Sequence, residues 1–373
     1  MTTAAAPEGR FGAAFEWLGI ERAWTRTRGS SAVIIGIVDS GLQSDHPLLR
    51  PNIHRERAND LLPPGEHEIA GTHAAGVAAG RSSDVERFSG VAPDSRILPV
   101  RINTGAGPRA LDLPQAIEYA VEMGACIVNV APAYEFAAPA VRRAIQYAAA
   151  RNVLVVCAAS ETCPAPRVQG EDDPVPNQIA VLSIDESGKP LGGVSPGGAD
   201  LAAPGFAHAP TWRGSGYTRL QNGAIGAPYV SGCAALVKAL NPGWGYHELK
   251  EHLIVSGSAN PQLASMCRDG RMLNVADAVL GPIEPTIEGP LSWSALNDAV
   301  ITWRMRYASA LCVNVAALFK PHGDEHWREL AHARASVGKM IIPADSLRRS
   351  SGLLRIACRE SNFRSDEVAV TIR

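Results

Sequence analysis

Val33-Ile-Ile-Gly-Ile-Val-Asp39-Ser-Gly-Leu-Gln-Ser-Asp-His46-Pro47 is the stretch on which the fold turns. From Val33 to Val38 no polar side chain falls on either face of the pleat, and most residues are β-branched. Such a run is a strand covered on both sides, which is the habit of a parallel sheet. Asp39 follows at the strand tip, where packing on its rigid side holds the carboxylate. There it could accept a bond from an imidazole N–H and fix the ring's tautomer. Taken alone, Asp-Ser-Gly is equally the chemistry of a plain turn. Asp45 and His46 read as local structure.

The same signal recurs along the chain. Ile97–Ile102, Cys126–Val130 and Val153–Cys157 are further short apolar strands. Between them, Leu113–Met123 and Pro139–Ala150 carry helical spacing, the second with proline suited to its first turn. Alternation of this kind predicts right-handed crossovers and a mainly parallel sheet covered by helices. Functional residues then gather at the carboxyl ends of the strands.

Two further segments carry chemistry. Ala70-Gly-Thr-His73-Ala-Ala-Gly-Val-Ala-Ala-Gly80 is a helix of small residues able to lie close to the sheet, with His73 near its start. Alone, that histidine reads as a packing or capping residue. Asn222-Gly-Ala224-Ile-Gly-Ala-Pro228-Tyr-Val-Ser-Gly-Cys-Ala-Ala-Leu236 reads as a loop entering a tightly packed helix.

Together the three segments resemble, in order, the Asp, His and Ser motifs of the subtilisin-like serine peptidases. Connecting segments agree: Gly90–Ile97, Asp200–Gly205 and Arg271–Ala278 resemble the family's corresponding stretches. The resemblance covers about the first 280 residues and implies an α/β, three-layer, subtilisin-like fold. It implies that Asp39 orients His73 and that His73 is the general base for a serine hydroxyl at position 224. That position holds Ala224, whose methyl can neither attack a carbonyl nor release a proton. Two readings follow: a serine endopeptidase whose nucleophile was replaced by alanine, or a natural pseudopeptidase serving as a peptide-binding or scaffold protein. Retention of Asp39 and His73 favours the first.

Other departures bear on the expected chemistry. The family's oxyanion asparagine aligns with Glu161, an acid that repels developing negative charge when ionised and donates when protonated. Loss of that donor costs subtilisin about 10²–10³ in turnover, and the backbone N–H of residue 224 is expected to remain as the other donor. Ala131, Pro132 and Ala133 replace the family's substrate-binding Ser-Leu-Gly. Pro132 lacks an N–H, but alternate residues face a paired strand, so a peptide or protein substrate can still bind there as an extended strand. His46-Pro47 is followed by Leu48 where many relatives place an acidic calcium ligand, and no metal or cofactor is expected. Glu171-Asp-Asp173 reads as a solvated acidic loop, with a preference for a basic residue as the alternative.

After the Pro/Gly-rich Leu280–Pro285 the pattern changes. Ala299–Met305, Ala310–Leu318, Lys339–Ile342, Leu353–Cys358 and Glu367–Ile372 are short β-type runs. The expected division is therefore 1–281 as the peptidase domain and 282–373 as a β-sandwich weakly resembling fibronectin type III.

Composition sets the outer bounds. With 46% hydrophobic and 19% charged residues the chain buries a real core, and its formal charge of −2 leaves no footprint for nucleic acid or anionic lipid. The apolar runs are too short to cross a membrane. Seven cysteines lack metal-type spacing. Read as reduced thiols, beside an N-terminus without a basic-then-apolar leader, they predict a cytoplasmic protein.

Overall fold

The computed structural model describes residues 13–59, 69–82, 88–102, 111–130, 138–160, 175–192, 196–210, 217–280, 286–288, 292–293, 298–304, 314–334, 339–344, 350–358 and 367–372. The chain divides into two compact units, Met1–Leu280 and Gly281–Arg373.

In the first unit the expected strand forms β1 (Ile34–Asp39), buried at all six positions. It is followed by β2 (Arg96–Arg101), β3 (Ile127–Val130), β4 (Leu154–Ala158), β5 (Gln178–Ile184) and β6 (Leu201–Pro204). A hairpin of β7 (Phe206–Pro210) and β8 (Tyr217–Gln221) leads into the third motif. Short β9 (Ser258–Ala259) and β10 (Arg271–Met272) finish an eight-stranded sheet in the order β2-β1-β3-β4-β5-β6-β10-β9. Every pairing within it is parallel except that of β10 with β9.

Helices are α1 (Ala13–Leu18), α2 (Ile20–Ala23), α3 (Ile69–Ala79), α4 (Leu113–Glu122), α5 (Pro139–Ala149), α6 (Gly226–Leu240), α7 (Tyr246–Val255) and α8 (Val275–Leu280). The two-residue period of the strands sorts them into layers. Ile35 and Ile37 point into a core shared with α3 and α6, whereas Ile34 and Val38 point into one shared with α4 and α5. Three layers result. The helical start of the domain is interrupted at Gly19. Gly19 adopts φ 67°, and a side chain there would lie 2.6 Å from the Ala276 Cβ, so the segment breaks into α1 and α2.

The second unit is a sandwich of a three-stranded and a five-stranded sheet. The first is ordered β11 (Thr286–Glu288), β13 (Ala299–Arg304), β16 (Lys339–Ile342). The second is ordered β12 (Ser292–Trp293), β18 (Val368–Ile372), β17 (Ser350–Cys358), β14 (Asn314–Pro321), β15 (Arg328–Arg334). Ile301 and Ile342 from one sheet pack with Phe319, Ile356 and Val370 from the other.

What positions the site is the approach of α3 to the tip of β1. A Cβ on Gly71 would sit 2.3 Å from the Gly41 carbonyl oxygen and 3.0 Å from the Asp39 Cβ. Because the obstacle is backbone, it cannot rotate away. Gly71→Ala is therefore expected to lose about 1–3 kcal/mol in urea denaturation. Gly243→Ala, which meets nothing within 4 Å, should stay within about 0.5 kcal/mol.

Candidate active site

Strand order reverses at β1, which pairs with β2 on one side and β3 on the other. The crevice beyond the carboxyl ends of strands at such a reversal is where open α/β sheets bind ligands. A cleft of about 370 Å³ opens there. Its walls are Asp39 from β1, Ala70, His73 and Ala74 from α3, Asn129 and Val130 from β3, Asn222, Ala224 and Ile225 from the turn into α6, and Pro228 from α6 itself. Asp39, His73 and Ala224, drawn from distant parts of the sequence, thus share one cavity. Glu161, Ala131, Pro132 and Ala133 lie outside the described residues.

His73 is only 4% exposed. Its Nε2 is buried without a hydrogen-bond partner. Burial pushes the imidazole pKa down to about 4, because a charged ring loses its hydration there. The ring is consequently neutral at physiological pH, with a basic nitrogen in the cavity that the Ala224 methyl lines. Asp39 is likewise buried, and its Oδ1 accepts from the Ser40 N–H at 2.7 Å.

The turn carrying position 224 has most of its polar groups assigned. Asn222 N–H donates to the Gly205 carbonyl at 2.8 Å. Ala224 N–H donates to Asn222 Oδ1 at 2.8 Å. The Ser183 hydroxyl donates to the Gly223 carbonyl at 2.8 Å and accepts from Gly226 N–H at 3.0 Å. The expectation that the N–H of residue 224 stands open as a donor is therefore corrected. An asparagine two residues earlier folds back onto it, as short amide side chains do in turns.

The structure adds residues that the motifs did not single out. Ser231 Oγ donates to Asn129 Oδ1 at 3.0 Å, tying α6 to β3 beneath the cleft. Ser183 is a hydroxyl inside the otherwise apolar end of β5, and that polar interruption is its signal in the sequence. His46 is fully buried and its Nδ1 accepts from Leu48 N–H at 3.1 Å, in keeping with a local structural role.

The subtilase family profile matches residues 30–270, well over half of the chain. The chain belongs to the subtilase family. It is 30% identical over 220 residues to the thermophilic serine proteinase of Bacillus sp. (strain AK1), covering 58% of this chain and 54% of that protein. The chain thus spans about half the length of that relative. Among solved structures it is similar to MycP1 from Mycobacterium smegmatis, with TM-score 0.57, 21% identity, and coverage of 76% of this chain and 88% of that one. It is also similar to the prenylagaramide maturation protease PagA, with TM-score 0.55, 28% identity, and coverage of 70% and 97%.

A cytoplasmic location does not hold. A subtilase 29% identical over 251 residues, from Natrialba magadii, is named an extracellular serine protease, with coverage of 62% of this chain and 45% of that one. Within this subtilase itself the premise of reduced thiols fails at Cys157, which is disulfide-bonded, as oxidising compartments favour. Cys126 and Cys233 are free thiols.

The buried imidazole makes a signed expectation. Its ordinary value is 6.5 and its folded value about 4, so between these pH values the unfolded chain holds a proton that the native chain does not. Stability is full above the unfolded value and declines as pH falls through that window. His73→Gln should flatten the acid side of the stability profile between those limits. NMR titration of the His73 ring should give a midpoint near 4. A midpoint at the ordinary imidazole value would contradict the burial argument.

Proposed function

We propose that the cleft between Asp39, His73 and position 224 is the peptide-bond-cleaving site of a serine endopeptidase, with the nucleophile's place taken by Ala224. The supporting observation is the buried, unpartnered Nε2 of His73 in the same cavity as the Ala224 methyl. A buried polar atom without a partner is costly, so its persistence in a cleft calls for an occupant that supplies a proton. A serine hydroxyl at 224 is such an occupant.

In the serine form, His73 takes the hydroxyl proton as the oxygen attacks the scissile carbonyl. It then returns that proton to the leaving amine, and water releases the acyl group by the same route. Asp39 accepts from Nδ1–H and holds the ring in the tautomer that leaves Nε2 basic. A neutral resting imidazole is ready for this step without prior deprotonation. The oxyanion needs the 224 N–H, so Asn222 Oδ1 must swing away when substrate enters. Glu161 would be the second contributor when protonated. Ala131, Pro132 and Ala133 would pair with substrate as an extended strand.

PagA is a maturation protease, and the likeness to it favours a processing role over general digestion. Such a role makes a precursor peptide or protein the substrate class. One observation favours the second reading, a peptide-binding protein without turnover. The 224 N–H is already satisfied by Asn222 and no hydroxyl accompanies it.

Removing the nucleophile costs a subtilisin-type enzyme roughly 10⁶ in turnover, so the chain with Ala224 is expected to be inert. Ala224→Ser should bring back covalent labelling by a fluorophosphonate, and His73→Ala added to it should abolish the label. A serine form that folds normally yet never labels would favour the binding reading.

A further inference from the structure

Ser183 lies near the end of β5, 1% exposed, in a strand whose side chains there are otherwise apolar. Burying a hydroxyl is unfavourable unless its hydrogen bonds are made. This one is used in both directions. It donates to the Gly223 carbonyl at 2.8 Å and accepts from the Gly226 N–H at 3.0 Å. Those two backbone groups bracket residue 224 on either side. Gly226 is also the first residue of α6, whose N–H has no partner within the helix, so a hydroxyl from another strand serves as its cap. The fit excludes any side chain at Gly226, where a Cβ would stand 2.8 Å from Ser183 Oγ. Beside this turn, between β6 and β7, a Cβ placed on Gly205 would stand 2.5 Å from the Leu191 Cδ1, 2.9 Å from the Ser183 Cβ and 3.0 Å from the Asn222 carbonyl oxygen.

We propose that Ser183 is a positioning residue for the nucleophile: its single hydroxyl pins both flanks of residue 224 to the middle of the parallel sheet. It touches neither substrate nor the reacting atoms. It acts by denying the turn the freedom to carry residue 224 out of line with His73. Chemistry between two groups on different elements depends steeply on such alignment, and a site on a loop is only as well placed as the contacts that hold the loop. A glycine on each side of residue 224 makes the turn flexible by itself, so the restraint comes from outside it. The catalytic meaning of this pin rests on reading position 224 as the nucleophile's place, but the pin itself does not.

Two arms separate these questions. In the chain with Ala224, native-state hydrogen exchange at the Gly226 amide is compared with and without Ser183→Ala. Loss of the bond is expected to speed exchange by about tenfold. Ser256→Ala is the control: that serine is equally buried and donates to the Leu253 carbonyl at 3.2 Å. It should lower global stability comparably while leaving Gly226 protection, corrected for global stability, unchanged. In the Ala224→Ser form, Ser183→Ala should lower kcat by about tenfold with KM unchanged, and Ser256→Ala should leave kcat within about twofold. Unchanged exchange at Gly226, or an equal fall in kcat from both substitutions, would overturn the proposal. If the Ala224→Ser parent shows no turnover, the peptidase reading fails. The exchange arm then decides alone whether Ser183 holds the turn.

Discussion

The steric contact between the start of α3 and the tip of β1 governs the site. Gly71 passes so close to the Gly41 carbonyl and the Asp39 Cβ that not even a methyl group fits between them. This closeness sets His73, two residues further on, over the carboxyl end of β1. The ring is itself buried, and the missing hydration is what lowers its basicity. The close approach fixes the place of the imidazole, and its burial fixes the protonation state.

The opposite wall obeys a different rule. The turn before α6 is glycine-rich and has little stiffness of its own, so it borrows rigidity from the sheet. Gly205, Ser183 and the Asn222 side chain take up its backbone groups one after another. Ser231 and Asn129 repeat the arrangement further into the helix. A helix held by side-chain bonds to two different strands, β5 and β3, presents residue 224 at a fixed height. Catalytic geometry requires that kind of preorganisation, whether or not a nucleophile is present.

Much of this is legible in the residues. The unbroken apolar runs of β1 and β4 announce a parallel sheet, because only strands covered on both faces tolerate them. The motifs around Asp39, His73 and position 224 bring three distant segments to one cleft, since each ends or begins an element at the sheet's carboxyl edge. Less visible are contacts made between elements. Nothing local marks Ser183 as the partner of Gly223 and Gly226, because that bond depends on β5 lying beneath α6. The occupation of the 224 N–H by Asn222 depends on a turn conformation that sequence spacing alone leaves open. Arg328–Arg334 escapes the strand pattern because its polar residues, Glu329 and His332 among them, suit an edge with one side in solvent. Reading every cysteine as reduced fails because pairing is decided in space.

The imidazole of His73 and residue 224 line one cleft, and on that sharing the catalytic reading depends. Ala224→Cys places a thiol there, and its rate of alkylation by iodoacetamide can be followed against pH by peptide mass spectrometry. A thiolate at 224 and a protonated His73 attract each other, and that pairing offsets the burial cost of the charged ring, so alkylation should proceed well below the ordinary thiol value of about 8.5. His73→Ala should return the profile to that value. A residue 224 thiol that titrates as an ordinary cysteine with His73 present, and is indifferent to its removal, would contradict the shared cleft.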